Sequence, residues 1–92
     1  MTNTVSLTLK IVNEKGLHAR ASAKFVETVE KFEAEATVRK DGISASGDSI
    51  MGLLMLAASI GTEIEVETSG RQAQSLADAL TELVADKFGE GR

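Results

Sequence analysis

The hydrophobic residues of this 92-residue chain recur with two different periods, and the alternation of these periods restricts the possible folds more than any other feature. Apolar and polar residues alternate with a period of two, which is typical of half-buried strands, in residues 4–12, 34–40, 43–47 and 63–68. Helical spacing appears instead in residues 19–32 and 71–87, and residues 49–58 form a further helix-like segment that begins with a favourable N-cap residue, Ser49. The mixture predicts an α+β fold with helices on one face of an antiparallel sheet, because each strand has one polar face.

Glycine and polar residues predict how these segments connect. Asp41-Gly42 lies between two strand-like segments, where a two-residue hairpin turn requires positive φ at both positions. The chain has no repeat and no linker, so we expect one domain over residues 1–92 that buries a sufficient core. Gly89 and Gly91 follow the last helix-like segment, and the tail from Glu90 to Arg92 is expected to be frayed.

Composition and charge exclude several partners and locations. The net charge is −4 and the basic residues are scattered, whereas nucleic-acid-binding proteins usually present a basic face, so we expect no nucleic-acid partner. The longest apolar stretch, residues 50–60, is interrupted and too short to cross a bilayer. The first residues lack the pattern of a secretory signal. We therefore expect a cytoplasmic protein without membrane insertion.

The reactive side chains argue against a free-standing enzyme or a metalloprotein. The chain has no cysteine and one histidine, whereas zinc usually takes several such ligands. Glu63, Glu65 and Glu67 alternate along one segment and are more simply a solvated strand face than a metal site. A Ser-His-Asp arrangement using Ser22 or Ser49 stays open, but the Gly-x-Ser-x-Gly and Gly-x-x-x-x-Gly-Lys patterns are absent from the sequence. We expect no metal and no cofactor.

The one histidine, His18, lies between the first strand-like segment and the first helix-like segment. A helix that begins there directs its free N–H groups and the positive end of its dipole toward the imidazole, which suits an anion. A histidine ring is partly neutral near pH 7 and can act as a nucleophile. Arg20 and the backbone from Ala19 to Ala21 can donate to phosphoryl oxygens. These residues predict a phosphoryl acceptor; the alternative is a loop histidine without a role.

The second helix-like segment is apolar on nearly all sides. Ser49 precedes it and is a favourable N-cap residue. Only about half of so short a helix can face a core. Some of its apolar side chains should therefore be exposed and form a docking surface: Ile50, Met51, Leu54 and Met55. The alternative is a short helix that is buried on most sides.

Two motifs together make the chain similar to a known family. Gly16-Leu17-His18-Ala19-Arg20 and Asp48-Ser49-Ile50-Met51-Gly52, with the order of elements around them, closely resemble the HPr family, the histidine-containing phosphocarriers of the bacterial phosphotransferase system. The resemblance covers essentially the whole chain. It implies an HPr-like open-faced β-sandwich, with a four-stranded antiparallel sheet and three helices on one face, in the order βαββαβα.

The resemblance also implies roles for individual residues. His18 would accept a phosphoryl group on Nδ1 (pros-phosphohistidine) from enzyme I, which is charged by phosphoenolpyruvate, and pass it to an enzyme IIA. Arg20 corresponds to the family's active-site arginine, and the helix after Ser49 to part of the docking face. Ser49 corresponds to the serine that HPr kinase/phosphorylase modifies in some bacteria. A phosphate there would suit the helix N-terminus, but its charge would disfavour a partner built for an apolar patch.

Two positions depart from the family's usual pattern. Ala21 stands where proline is usual; alanine is also comfortable in a first helical turn, so the change bears on rigidity and partner fit. Asp48 stands where lysine is common, and its charge would weaken or alter recognition by the kinase. Such departures are compatible with a regulatory, nitrogen-related branch of the phosphotransferase system as well as with sugar transport.

We therefore expect a monomeric relay protein that is itself phosphorylated and is not an enzyme with a free substrate. The rival hypothesis is a non-catalytic regulatory module that binds partners through the Ile50–Met55 patch while His18 is idle. A third hypothesis, a small-ligand sensor, predicts a ligand pocket for which the sequence has no motif. Changing His18 to alanine separates the first two, because only the relay would lose its function.

Overall fold

The computed structural model describes residues 3–92. Four strands are present: β1 (Thr4–Lys10), β2 (Glu35–Lys40), β3 (Ile43–Ser46) and β4 (Glu63–Ser69). Three α-helices separate or follow them: α1 (Ala19–Glu30), α2 (Ile50–Met55) and α3 (Ala73–Ala85). A 3₁₀ turn at Lys87–Gly89 comes after α3. The predicted order of strands and helices is confirmed.

The strands form one antiparallel sheet in the order β1-β4-β2-β3. Val66 on β4 pairs with Leu7 on one side and with Val38 on the other, so β4 is a central strand. Alternate side chains of the sheet enter the core: Leu9, Ala36, Val38, Ala45, Ile64 and Val66. Helix α3 packs on β1 and β4, and α1 packs on α2 and α3. The polar side chains between them point to solvent, which is the predicted open-faced α+β sandwich.

Each helix is shorter than its hydrophobic pattern predicts, because the backbone turns before the pattern ends. Helix α1 ends at Glu30, although helical spacing continues to Phe32. Helix α2 ends at Met55, and Ala57 then takes a φ of +51°. Helix α3 ends at Ala85, and Lys87 and Phe88 have φ values of +56° and +54°. Burial of the Phe88 ring, which has no exposed surface, helps to offset this unfavourable left-handed backbone.

The tail after α3 makes hydrogen bonds to the rest of the chain, which contradicts the expectation that residues 90–92 are frayed. The N–H groups of Gly89 and Glu90 donate to the carbonyls of Asp86 and Lys87, at 2.9 and 3.0 Å. The carbonyl of Arg92 accepts from the N–H of Glu14 at 2.9 Å. The glycines in the tail correctly mark the end of the helix, but they give no information about partners near the other end of the chain.

The turn and cap predicted from local sequence are confirmed. Asp41 and Gly42 have φ of +50° and +79° and connect β2 to β3. Ser49 caps α2, where its hydroxyl accepts from the N–H of Gly52 at 3.0 Å. None of the helices within residues 3–92 combines the length and the apolar character that a membrane span needs.

Candidate functional site

His18 is the N-cap residue of α1, as its position between two hydrophobic patterns predicts. Its backbone is extended (φ −78°, ψ −175°), and its carbonyl accepts the first helical hydrogen bond, from the N–H of Ser22 at 2.8 Å. The ring nitrogen Nδ1 accepts from the N–H of Arg20 at 3.2 Å. The Nδ1 edge of the ring therefore faces the free N–H groups at the positive end of the helix.

The loop before His18 is anchored to the segment after α2. Gly16 has a φ of +66° and packs directly against the backbone of Ala58. The N–H of Leu17 donates to the Ala58 carbonyl at 2.9 Å, and the Leu17 side chain is buried. Glycine is suited to this position because it combines a left-handed backbone with a close contact. Gly16 and Leu17 are buried and fix the loop, so that His18, the next residue, lies half-exposed at the surface.

Glu90, in the tail that the sequence predicts to be frayed, lies against the imidazole. Its Oε2 contacts His18 Nε2, and its Oε1 accepts from Asn13 Nδ2 at 3.0 Å. Asn13 is fully buried and also donates from Nδ2 to the carbonyl of Gly16 at 2.8 Å. Neither Asn13 nor Glu90 was predicted as a site residue, because 77 positions separate them and no local pattern joins them.

The charge state of Glu90 follows from these contacts. Burial of the Glu90 carboxyl raises its pKa, but hydrogen bonds from Asn13 and His18 and the nearby charges of His18 and Lys15 together outweigh this effect. The pKa therefore lies below the ordinary value of 4.5. Glu90 is a carboxylate at neutral pH. Its Oε1 faces Asn13 and its Oε2 faces His18.

Lys24, on α1, contacts the segment after α3. Helical spacing predicts that it faces away from the core, yet its Nζ donates to the carbonyl of Phe88 at 2.6 Å and its side chain is half-buried. Together with the Glu14–Arg92 hydrogen bond, this contact fastens the segment after α3 across the start of α1. We call residues 86–92 the C-terminal strap.

A cavity of about 430 Å³ opens beside His18 between α1 and the C-terminal strap. Four basic side chains line it: Lys15, Arg20, Lys24 and Arg92. Glu14 and Glu90 are its two acidic residues. The basic side chains outnumber the acidic ones in this cavity beside His18, and positive charge is part of the chemistry that an anion such as a phosphoryl group requires.

Ala19, Arg20 and Ala21, the predicted phosphate-binding residues, all lie in the first turn of α1. Arg20 is exposed and lines the cavity. The Ala21 side chain is fully buried, so at this position only the backbone can reach a bound group. The helix forms with alanine where the family usually has proline, as its helix propensity predicts.

Helix α2 presents much of its apolar surface to solvent. Met51, Met55 and Ile50 are 70%, 71% and 40% exposed, whereas Leu53 is fully buried and anchors the helix. Leu54 is half-buried and lines a second cavity, of about 310 Å³, together with His18. The predicted patch is therefore exposed at three of its four positions, and its fourth residue, Leu54, lines a cavity that His18 also lines.

Ser22 and Ser49 are the two serines considered for a Ser-His-Asp arrangement with His18. Ser22 is fully buried, and its hydroxyl donates to the carbonyl of Leu17 at 3.3 Å rather than to His18. Ser49 is half-buried at the start of α2, the end away from Leu54. Neither serine lines the two cavities that contain His18.

Comparison with known proteins shows which family this chain is similar to. The family model described as "PTS HPr component phosphorylation site" matches residues 5–86. The phosphocarrier protein HPr of Neisseria meningitidis serogroup A is 49% identical over 83 residues, which cover 90% of this chain and 93% of that protein. The phosphocarrier protein NPr of Escherichia coli K12 is 39% identical and covers 95% of this chain and 98% of its own length.

A solved structure shows the same fold. The crystal structure of HPr-C-His from Thermoanaerobacter tengcongensis superimposes with a TM-score of 0.89 at 37% identity, over 94% of this chain and 97% of that one. The match to the family model, residues 5–86, extends from β1 to the end of α3. This chain belongs to the HPr family, the phosphocarriers of the bacterial phosphotransferase system.

Proposed function

We propose that His18 carries a phosphoryl group between two proteins of the phosphoenolpyruvate-dependent phosphotransferase system. Enzyme I is the donor and an enzyme IIA is the acceptor. The observation that carries this proposal is the position of His18 Nδ1, which faces the N-terminus of α1 with the N–H of Arg20 at 3.2 Å. The half-exposed ring is accessible to a partner's phosphoryl group and needs no closed pocket.

The transfer step uses groups that are already in place. The Nδ1 lone pair attacks phosphorus, a P–N bond forms, and the donor's bond to phosphorus breaks with its electron pair leaving on the donor. The backbone N–H of Arg20, which donates to Nδ1 before the transfer, then donates to a phosphoryl oxygen instead. The Arg20 guanidinium and the backbone N–H groups of the first turn bind the remaining negative charge. The same step in reverse direction delivers the group to the acceptor, so the chain is a carrier rather than an enzyme with a free substrate.

The α2 patch, formed by Ile50, Met51, Leu54 and Met55, is the proposed docking surface for both partners. It is largely apolar and exposed, and Leu54 joins it to His18. A partner that covers this patch brings its own phosphoryl group next to the imidazole. Since one patch serves both partners, we propose that they bind in turn to a monomer in the cytoplasm.

Ser49 is the proposed regulatory position, a substrate of an HPr kinase/phosphorylase where the organism has one. Its hydroxyl caps α2, and a phosphate there would remain favourable for the helix. The same phosphate would put two negative charges at the edge of the apolar patch and weaken docking. Asp48 precedes it and accepts from the Ser46 hydroxyl at 2.6 Å, so a kinase would meet a negative charge beside its target.

A labelling experiment tests the carrier. The protein is incubated with enzyme I from the same organism, Mg²⁺ and ³²P-phosphoenolpyruvate, and the bound label is tested for acid lability. We expect acid-labile label in the wild type and in Ser49→Ala, and none in His18→Ala. Label that persists in His18→Ala would reject the proposed site.

The same samples test the rival hypothesis of a binding module, and they also identify which enzyme IIA is the acceptor. No label on the wild type, with retained binding to a partner through α2, would favour the non-catalytic binding module. Mixing the labelled protein with sugar-type and nitrogen-type enzyme IIA, each in turn, identifies the acceptor by the faster loss of label. Relatives named HPr and NPr both match this chain, so both acceptor classes belong in the assay.

A further inference from the structure

We propose that Glu90 is a positioning residue for His18: its carboxylate holds the proton on Nε2, leaves Nδ1 as the nucleophilic nitrogen, and stabilises positive charge on the ring during transfer. This inference rests on the proposed function, because it explains how the carrier nitrogen is selected. It adds a residue that lies outside the segment matched by the family model, which ends at residue 86.

The two ring nitrogens of His18 face partners of opposite kinds. Nδ1 faces a donor, the N–H of Arg20, so it must offer a lone pair there. Nε2 faces an acceptor, the Glu90 carboxylate, so it must carry a hydrogen. The neutral tautomer protonated on Nε2 satisfies both contacts, whereas the other neutral tautomer satisfies neither. The contacts therefore select the nitrogen that can attack phosphorus.

The carboxylate is itself held in place from three directions. Asn13 donates to its second oxygen, and the Asn13 amide is fixed because the same nitrogen also donates to the Gly16 carbonyl. Lys24 and Glu14 hold the neighbouring backbone of the C-terminal strap through the carbonyls of Phe88 and Arg92. The Glu90 side chain is only 13% exposed, so solvent screens its charge weakly.

This arrangement matters most when the P–N bond forms. As Nδ1 gives its lone pair to phosphorus, positive charge spreads over the imidazole and reaches Nε2. A carboxylate hydrogen-bonded to Nε2 stabilises that charge more in the transition state than in the resting protein, which is the condition for a faster step. The proton stays on Nε2 throughout, so no proton has to move during the transfer.

Glu90→Gln is the informative variant because glutamine has the same shape without the charge. His18 Nε2 and Asn13 Nδ2 face different oxygens of the carboxylate, so a glutamine in the same orientation places its oxygen at one donor and its NH₂ group at the other. Charge-assisted hydrogen bonds are roughly twice as strong as neutral ones, so we expect phosphoryl acceptance about tenfold slower in single-turnover transfer from phosphorylated enzyme I. The KM for enzyme I should stay within about twofold, since the docking patch is untouched.

The tautomer is measured separately, by ¹⁵N NMR of the imidazole in the unphosphorylated protein. The wild type should have hydrogen on Nε2, and Glu90→Gln should shift toward a mixture of the two neutral forms. Glu82→Gln, an equal change of charge on an exposed face of α3, is the control and should match the wild type in both measurements. Asn13→Ala keeps the carboxylate but removes its support, and should give a smaller change in the same direction.

The outcomes separate this inference from the proposed function. An unchanged tautomer in Glu90→Gln overturns the inference, and so does a transfer rate equal to that of the wild type, even where the carrier function holds. Absence of label on the wild type rejects the carrier function instead. Amide spectra of the core residues of each variant show whether the fold is retained, and Asn13→Ala keeps the test decisive if Glu90→Gln releases the C-terminal strap.

Discussion

Replacing Gly16 with alanine is expected to lower the free energy of unfolding by about 2–5 kcal/mol, from two additive causes. At its φ of +66° an L-residue is disfavoured by about 1–2 kcal/mol. A Cβ atom would also lie 2.4 Å from the carbonyl oxygen of Ala58 and 3.0 Å from the Cα of Ser59. Both neighbours are backbone atoms that no side-chain rotation can remove, so overpacking adds about 1–3 kcal/mol.

Gly42 provides a matched control for the backbone contribution. It has a φ of +79°, but a Cβ there would have nothing within 4 Å. Gly42→Ala should therefore lose only about 1–2 kcal/mol. Both variants gain the same small amount from a less flexible unfolded chain, so the difference between them isolates the steric contact. Urea unfolding followed by far-ultraviolet circular dichroism suits this chain, which has no tryptophan or tyrosine.

The Gly16 contact also affects the site. The Ala58 oxygen accepts from the N–H of Leu17 at 2.9 Å, directly before His18, so its displacement should move the imidazole. Gly16→Ala should therefore accept phosphoryl groups more slowly, whereas Gly42→Ala should not. Equal loss of stability in the two variants would refute the steric reasoning, because it would mean that backbone conformation alone determines the effect.

Three further predictions follow from the described contacts. The pKa of Glu90 lies below 4.5 in the folded protein, so its contribution to stability is complete above about pH 4.5 and is lost as the pH falls through the folded-state pKa. Urea titrations below pH 5 should therefore show that the wild type loses more stability than Glu90→Gln. Equal losses in the two proteins would contradict this prediction. Ser49→Ala removes the acceptor for the Gly52 N–H and should lower the free energy of unfolding by about 0.5–2 kcal/mol. Ser49→Asp keeps an acceptor and should lower it by less in the same denaturation assay. Identical losses in the two variants would show that the cap is unimportant. Met55→Asp changes a side chain that is 71% exposed, so the free energy of unfolding should stay within about 0.5 kcal/mol of the wild type. The KM for enzyme I should rise, because a charge enters the proposed docking surface. An unchanged KM would show that Met55 is not part of that surface.

Local sequence was sufficient for much of the architecture and for the placement of His18. Hydrophobic periodicity depends on neighbours within a few residues, and so it predicted the four strands and the helices α1 and α3, while the N-cap Ser49 before an apolar segment predicted α2. The same local physics predicted the turn at Asp41-Gly42 and the cap at Ser49, since both depend on residues at most three positions apart. The change from strand to helix period likewise predicted that His18 lies at a helix N-terminus. The helix ends were less well predicted, because Ala57 and Lys87 adopt positive φ without being glycine.

The contacts that complete the site depend on tertiary structure alone. Glu90 reaches His18 across 72 positions, and it does so because burial of Phe88 folds the C-terminal strap back over α1. Asn13 follows β1 and has no local pattern that marks it as a site residue, yet it is buried and its amide donates to the carboxylate. Periodicity reports which face of an element is apolar, but not which distant residue will lie beside it. The sequence by itself thus determined the elements, the family resemblance and the position of the histidine at a helix start, while packing decided which carboxylate lies beside the imidazole.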